Sequence, residues 1–251
     1  MKIVSWNCKN EYYKKICFDE NKEKLITKEN DDAEIFIIQE CTYSDCIRLK
    51  ENYQYVTWYG DGKDSILGIG AFSKKYELSL APEYNPDCKF RYVIPYYFYK
   101  DNNKIYLFLV WAKTSLYCIT NTNKRIPDKH CNLEYVQNVL EAMQHYNNLL
   151  NDKIIIIGDF NSGITLDNER IKHDELVKYL EKNNIVNCSL KDKLEKAPTY
   201  FHIDKYKNEI PFTDDYCFVS KNIKIESFTI GKKEIYHEYS DHLPIIVNLK
   251  I

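Results

Sequence analysis

The feature that most constrains this chain is a run of four isoleucines, residues 154–157, that ends in the segment Gly158-Asp159-Phe160-Asn161. Consecutive β-branched apolar residues predict a strand that is buried on both faces, as in the middle of an α/β sheet. The glycine lets the backbone bend where the strand ends, and the two-residue period of a strand places Asp159 and Asn161 on the same side. We therefore predict a buried strand that carries a carboxylate and an amide at its tip.

A second polar tip precedes the last apolar stretch of the chain. The segment Ser240-Asp241-His242 lies directly before the apolar residues 243–247, where a loop enters a predicted strand. This tip adds an acid and an imidazole to the acid and amide that follow the isoleucine run. Two polar tips on apolar strands indicate one shared site.

Three further apolar stretches border polar side chains. They are residues 2–7, which end on Asn7, residues 33–40, which end on Glu40, and residues 216–220, which directly follow Asp214 and Asp215. Any one such motif arises often by chance, so an interpretation has to depend on their order and spacing.

The five motifs together resemble a known group of enzymes. The elements W-N, Q-E, G-D-F-N, D-Y and S-D-H occur in the order found in the endonuclease/exonuclease/phosphatase superfamily, the metal-dependent fold of DNase I and of the exonuclease III type of repair enzyme. They run from Trp6 to His242, so the resemblance covers nearly the whole chain. It implies an α/β protein with a four-layer α/β sandwich, in which two mixed β-sheets pack face to face with helices on the outside.

The predicted helices and strands agree with such layers. Helices are expected near residues 19–29, 44–50 and 171–183, and another begins at the N-cap Asn132 and leads to the isoleucine strand. Further strands are expected near residues 2–7, 34–40, 53–59, 66–73, 75–80, 90–99, 104–111, 185–188, 198–202, 214–220, 223–230 and 244–250. The motifs are spread over both halves and no Gly/Ser-rich or Pro-rich linker interrupts them, so residues 1–251 are expected to form a single domain.

The resemblance implies a metal-dependent hydrolase of phosphate esters. Glu40 is the expected principal metal ligand, with Asn7 and Asp241 nearby. Mg²⁺ typically takes only one or two carboxylates and keeps several waters, so this small set suffices. Mg²⁺ is therefore the expected cofactor, and Mn²⁺ is a possible substitute.

The resemblance also implies roles for the remaining polar tips. Asp159 would hold or deprotonate the attacking water, and Asn161 would donate its amide to a phosphate oxygen. His242 would donate to the same phosphate, with Asp215 fixing its tautomer and ring plane. Asp214 remains an alternative to Asp215, because the two acids are adjacent in sequence.

Two departures from the superfamily pattern bear on the substrate. After the strand that ends near Val110, nucleases of this type commonly place a Tyr or His that touches the phosphate, whereas this chain has Trp111. An indole donates one hydrogen bond but is neither acid nor base, so either Lys113 contacts the phosphate or the substrate differs. Lys9 stands where the repair-enzyme branch often carries an acid, which favours DNase I-like relatives. Lys9, Trp111 and Lys113 are the expected substrate contacts.

The charge balance excludes a protein that binds nucleic acid through bulk positive charge. The formal net charge is −2, so contact with a polyanion has to be local.

A nuclease acting on DNA or RNA is the expected function, with nucleic acid as the partner. A phosphomonoesterase for a nucleotide or an inositol phosphate is an alternative, and an inactive binding module of the same fold is another. Retention of all five motifs argues against the inactive module.

Composition also indicates the cellular setting. The nine cysteines are odd in number and scattered, and Cys8, Cys118 and Cys217 fall in apolar stretches, so reduced core thiols are expected. No signal peptide is visible, and no apolar run approaches the ~20 residues of a membrane helix. We expect a cytoplasmic protein that does not engage a membrane, and the oligomeric state is left open.

Overall fold

The computed structural model describes residues 1–9, 19–60, 67–85, 92–112, 117–119, 125–127, 135–163 and 170–251. Strands and helices are numbered here in chain order. The first sheet contains β1 (Lys2–Asn7), β2 (Ile35–Cys41), β3 (Tyr55–Gly60), β4 (Gly68–Ser73), β15 (Lys224–Ile230) and β16 (Ile245–Lys250). The second contains β5 (Ser79–Leu80), β6 (Val93–Lys100), β7 (Asn103–Trp111), β10 (Lys153–Asp159), β11 (Ile185–Asn187) and β14 (Asp215–Ser220).

Two hairpins and five α-helices complete the described part of the chain. The hairpins pair β8 (Tyr117–Ile119) with β9 (Arg125–Pro127) and β12 (Tyr200–Ile203) with β13 (Glu209–Phe212). The helices are α1 (Glu20–Thr27), α2 (Tyr43–Leu49), α3 (Val136–His145), α4 (Arg170–Lys182) and α5 (Lys233–Tyr236). None of the described helices is long and apolar enough to cross a membrane.

Both sheets are mixed, and in each a parallel pair occupies the middle. The strand order is β15-β16-β1-β2-β4-β3 in the first sheet, where β1 and β2 are parallel, and β11-β14-β10-β7-β6-β5 in the second, where β7 and β10 are parallel. Next to these pairs, β16 runs antiparallel to β1 and β14 runs antiparallel to β10. In the first sheet, the ends of β1 and β2 therefore lie on the same edge as the beginning of β16. In the second sheet, the end of β10 lies beside the beginning of β14.

The isoleucine run explains how the layers pack. Ile155 and Ile157 lie in the core between the sheets, in one apolar cluster with Ile3 and Ile37 of the first sheet. Their neighbours at 154 and 156 point the other way, into the core beneath the outer helices. The strand is buried on both faces, as four consecutive isoleucines predict.

Helices cover the outer face of each sheet. Leu25 and Ile26 of α1 and Leu49 of α2 pack on the first sheet, and residues of α3 and α4 pack on the second. The order of layers is helix, sheet, sheet, helix, which confirms the predicted four-layer α/β sandwich.

Two local predictions differ from the structure, and several short elements, β13 among them, were not predicted. The strand expected at 75–80 shrinks to the two residues of β5, because the Ser73 hydroxyl accepts from the backbone N–H groups of Lys75 and Tyr76 and turns the chain. In α3 the cap position is Tyr135, without a side-chain cap, and the expected N-cap Asn132 lies outside the described residues. The strand β13 was not predicted, because it is largely exposed and contains a proline.

The cysteines that the structure describes with their side chains are free thiols. They are Cys8, Cys41, Cys46, Cys188 and Cys217, and all five are buried. This agrees with the expectation of reduced core thiols.

Candidate active site

The polar strand tips of both sheets meet at one edge. Asn7 pairs with Gln39 across the parallel strands of the first sheet, and Asp159 pairs with Asp215 in the second. The Nδ2 atom of Asn7 then donates to Oδ2 of Asp159 over 2.9 Å, although the two residues are 152 positions apart. This hydrogen bond links the two sheets directly at the predicted site.

A polar pocket of about 460 Å³ opens at this edge. Its lining residues are Lys9, Glu40, Asp159, Asn161, Tyr200, His202, Ile203, Asp241 and His242. Six of these nine are predicted site residues, so the pocket joins the two polar tips identified in the sequence. Asn7 and Asp215 are buried behind the wall, each hydrogen-bonded to a residue that lines it.

Glu40 reaches the pocket through an irregularity in β2. In this strand Phe36 and Ile38 face the outer helices, and an unbroken two-residue period would send Glu40 the same way. Instead the register with β4 shifts between Gln39 and Cys41, and Glu40 adopts the left-handed conformation with φ 58°. The bulge redirects the side chain toward the site, where Oε1 accepts from Asn7 over 3.2 Å.

Asp159 is fully buried and surrounded by donors. Its Oδ1 accepts from the Asn161 backbone N–H over 2.8 Å, and its Oδ2 accepts from the side-chain amides of Asn161 and Asn7, each over 2.9 Å. Burial raises the pKa of Asp159 well above its usual range, against the opposing effect of His242. A fixed carboxylate with a raised pKa is a better proton acceptor than an ordinary aspartate.

Asn161 has both amide protons engaged inside the protein. Its Nδ2 donates to the Ala112 carbonyl over 2.6 Å and to Asp159 over 2.9 Å. Because an amide carries only two such protons, this conformation holds Asp159 in place and leaves no proton for a phosphate. Donation to substrate stays a prediction, and it requires one of these bonds to break.

The amide of Asn7 is oriented by the backbone. Its Oδ1 accepts from the Lys9 N–H over 3.0 Å, so its Nδ2 is the atom that faces Glu40 and Asp159. In this orientation Asn7 positions two carboxylates. Its role as a direct metal ligand stays a prediction.

His242 and Asp215 form a buried pair. The Nδ1 atom of His242 lies 2.9 Å from Oδ2 of Asp215, which leaves Nε2 as the ring nitrogen for a substrate. Burial by itself disfavours the charged imidazole, but the charge and hydrogen bond of Asp215 outweigh it and raise the pKa of His242 to about 10. The ring also packs against Tyr200, with centroids 4.6 Å apart. This is the geometry of an oriented, positively charged donor.

The structure separates the two adjacent acids. Asp215 holds His242, whereas Oδ1 of Asp214 is buried without a hydrogen-bond partner among the described residues. Burial raises the pKa of Asp214 to about 7, although His242 opposes the shift. The expected hydrogen bond to the imidazole therefore comes from Asp215.

Three supporting residues were not identified in the sequence. Ser240 donates to the Asn7 carbonyl and accepts from the His242 N–H, and the indole of Trp6 donates to the His242 carbonyl. The Thr199 hydroxyl accepts from the backbone N–H groups of both Asp214 and Asp215. The S-D-H and W-N motifs contain two of these residues, while Thr199 carried no signal beyond its place before a predicted strand.

The three expected substrate contacts have different outcomes. Lys9 lines the pocket, and its Nζ lies 2.7 Å from Oδ2 of Asp241. Trp111 is 4% exposed and packs edge-on against Tyr92 in the core between the sheets, so it does not line the pocket. Lys113 lies outside the described residues.

The pocket offers the donor atoms that a hard divalent cation prefers. Glu40, Asp159 and Asp241 bring carboxylate oxygens to its wall, and Mg²⁺ binds oxygen ligands with few protein contacts. Ligand atoms of Asp159, Asp215 and His242 also lie within 4.8 Å of one another. In that group, His242 and Asp215 are already hydrogen-bonded to each other. Glu40 is therefore a better candidate for a metal ligand than His242 or Asp215.

A buried histidine supports the segment that follows Asp159. The Nδ1 atom of His173 lies 3.3 Å from the Ser162 hydroxyl, and its ring packs on Tyr216 with centroids 4.8 Å apart. Burial lowers the pKa of His173 to about 4, although Asp174 opposes the shift. His173 is therefore neutral in the folded protein at pH values where it is partly charged in the unfolded chain.

This shift predicts a loss of stability in acid. Between pH 6.5 and about 4 the unfolded chain binds the His173 proton and the folded protein does not, so the free energy of unfolding falls as the pH is lowered. In urea unfolding at pH 7 and 4.5, the His173→Gln variant should lose about 2 kcal/mol less stability than the wild type. His145→Gln, at an exposed histidine, is the control. Equal losses in wild type and His173→Gln would contradict the assignment.

Several solved structures have a fold similar to that of this chain. No protein-family model matches the chain, and no curated protein matches it in sequence. The endonuclease domain of TRAS1, a telomere-specific non-LTR retrotransposon, has a TM-score of 0.65 at 14% identity over 100% of this chain and 98% of its own. The 3'-5' exonuclease NExo from Neisseria meningitidis has a TM-score of 0.64 at 14% identity over 100% of both chains.

A third solved structure is less similar in length. TDP2 from C. elegans has a TM-score of 0.59 at 14% identity over 100% of this chain and 75% of its own. At such identities the likeness establishes the fold alone. The chain has the fold of the endonuclease/exonuclease/phosphatase superfamily, which confirms at the level of architecture the resemblance seen in its motifs.

Proposed function

We propose that this protein is a divalent-metal-dependent phosphodiesterase, and specifically a nuclease that hydrolyses DNA or RNA. The observation that carries the proposal is the meeting of Glu40, Asp159 and His242, from three separate stretches of the chain, around one pocket. Since residues from both halves build this site, we treat residues 1–251 as one catalytic domain.

The solved structures with the same fold support a phosphate ester as substrate. Two of them are described as an endonuclease domain and a 3'-5' exonuclease. A NExo structure is also described as a 3' phosphatase bound to a product DNA hairpin, with a TM-score of 0.61 to this chain. These descriptions favour a phosphoester bond in nucleic acid, and they keep a phosphomonoesterase as the alternative.

The residues of the site divide the chemistry of hydrolysis among them. Asp159, with its raised pKa and three donors, accepts a proton from the attacking water. His242, held by Asp215, donates through Nε2 to a phosphate oxygen and stabilises the charge that develops there. Asn161 and Asn7 keep Asp159 in position. A divalent cation bound at Glu40 would neutralise the phosphate and stabilise the departing oxygen.

A hairpin beside the pocket suits a polyanionic substrate. Tyr200, His202 and Ile203 of β12 line the pocket, and the exposed lysines Lys205 and Lys207 lie in the turn that follows. Because Asp204 and Glu209 flank these lysines, contact with nucleic acid would depend on the position of the two ammonium groups and not on a net positive charge of the hairpin.

The proposal is tested with labelled single- and double-stranded DNA and RNA and with nucleotide and inositol phosphates, each incubated with Mg²⁺, Mn²⁺ or a chelator. We expect cleavage of internal or terminal phosphodiester bonds in Mg²⁺ or Mn²⁺, no cleavage in chelator, and substrate affinity that falls steeply with salt. Release of inorganic phosphate from small esters with little salt dependence would establish the phosphomonoesterase instead. Absence of turnover on every substrate in both metals would refute hydrolysis.

A further inference from the structure

A lysine ammonium lies inside the carboxylate-rich pocket. Nζ of Lys9 is 2.7 Å from Oδ2 of Asp241, and the two side chains are only 31% and 20% exposed. An ion pair that is partly withdrawn from water is stronger than one on an open surface. Asp241, one of the expected metal ligands, is therefore already neutralised by the protein.

The fold fixes the backbone from which this ammonium projects. Lys22 is 2% exposed, and its Nζ donates to the carbonyls of Cys8 and Lys9 over 2.5 and 3.1 Å. The Lys9 N–H donates to Oδ1 of Asn7, and Lys9 has φ 44°. A non-glycine residue rarely adopts this conformation, so several contacts hold Lys9 in a backbone geometry that it would not adopt alone.

Charge in the pocket is arranged in pairs. Asp215 is bonded to His242 and Asp241 to Lys9, and the amide of Asn7 donates to both Glu40 and Asp159. A divalent ion that used Asp241 as an inner ligand would have to displace the Lys9 ammonium or stand a few ångströms from it. Two cations at that distance repel each other, and the repulsion is stronger in a partly buried pocket than in open water.

We propose that the Lys9 ammonium takes the place of a metal ion at Asp241. The site then binds one divalent ion, through Glu40, and Lys9 presents a second, fixed positive charge to the substrate phosphate. Asp241 orients this ammonium and is not an inner metal ligand. This inference rests on the proposed phosphoester hydrolase function. It states that one of the two positive charges at the active site is the Lys9 ammonium and the other is the bound divalent ion.

The test counts bound Mn²⁺ in the full chain without substrate, by electron paramagnetic resonance of the free ion. We expect one ion per wild-type chain. Lys9→Met frees Asp241 and should bind a second ion or bind the first on the order of tenfold more tightly. Lys9→Arg keeps the cation and should match the wild type. Lys224→Met, at an exposed lysine of β15, is the matched control.

The double variant Lys9→Met/Asp241→Asn decides the role of Asp241. It removes both charges of the pair, so Mn²⁺ binding should return to one ion with an affinity within about threefold of the wild type. A loss of tenfold or more would show that Asp241 is a ligand and overturn the proposal, as would two ions in the wild type or unchanged binding in Lys9→Met. Thermal unfolding of each variant confirms that it is folded. Because ion counting needs no turnover, its result is independent of the cleavage assay.

Discussion

If the proposed function is correct, we expect Asp159→Asn to lower phosphodiester cleavage at least ~100-fold, the smaller loss expected when acid-base help is removed. Asparagine has nearly the same volume, but it cannot accept the proton of the attacking water. Its NH₂ group would also face the donors of Asn7 and Asn161, which now bond to the carboxylate. The measurement is single-turnover cleavage of the best substrate in Mg²⁺, together with Asp159→Ala.

Two controls separate chemistry from folding in this experiment. Asp31→Asn changes an exposed carboxylate and should cleave like the wild type. Because Asp159→Asn places a donor against the donors of Asn7 and Asn161, it should lower the stability, and urea unfolding checks that the variant is still folded under the assay conditions. Cleavage within tenfold of the wild type would show that another group accepts the proton.

We expect His242→Gln to lower the cleavage rate by about 10²–10³-fold, the range known for other enzymes when one donor to a developing oxyanion is removed. Asp215→Asn should cause a loss of similar order, because Asp215 holds the imidazole 2.9 Å away and keeps it charged. The double variant should be little worse than either single variant, since the two residues act as one unit.

Comparing the three variants tests whether His242 and Asp215 act as one unit. Rates are measured under single-turnover conditions for His242→Gln, Asp215→Asn and the double variant, with His145→Gln at an exposed histidine as the control. Losses that multiply in the double variant would mean that Asp215 acts on the substrate independently of His242. A small loss in His242→Gln would show that another cation stabilises the phosphate.

The parts of the site that could be predicted from the sequence are those set by local pattern. The isoleucine run predicted the buried strand β10, and Asp159 and Asn161 do lie together and are hydrogen-bonded. Asn161 lies beyond the strand with φ 46°, so the bend after Asp159 brings them together and not the alternation on which the prediction was based. The W-N and S-D-H motifs were predicted to border strands, and they lie at the end of β1 and before the start of β16. Each of these inferences needs only a few consecutive residues.

The remaining features depend on contacts between distant residues. Regular alternation would place Glu40 on the outer face of β2, and only pairing with β4 shows the bulge that redirects it. The bond between Lys9 and Asp241 spans 232 positions and leaves no local signal. Trp111 is a case in which a local inference was wrong. Its position at the end of a predicted strand suggested contact with the substrate, but its side chain lies in the core between the sheets.

Three residues on the pocket wall, Lys9, Glu40 and Asn161, have positive φ without being glycine. The cost is about 1 kcal/mol each for Lys9 and Glu40 and smaller for Asn161, since asparagine tolerates this region, against the roughly 5–15 kcal/mol by which a typical domain is stable. Glycine at Lys9 or Glu40 would remove this conformational cost together with the ammonium or carboxylate that the pocket needs, so local stability and the chemistry of the site oppose each other at these positions.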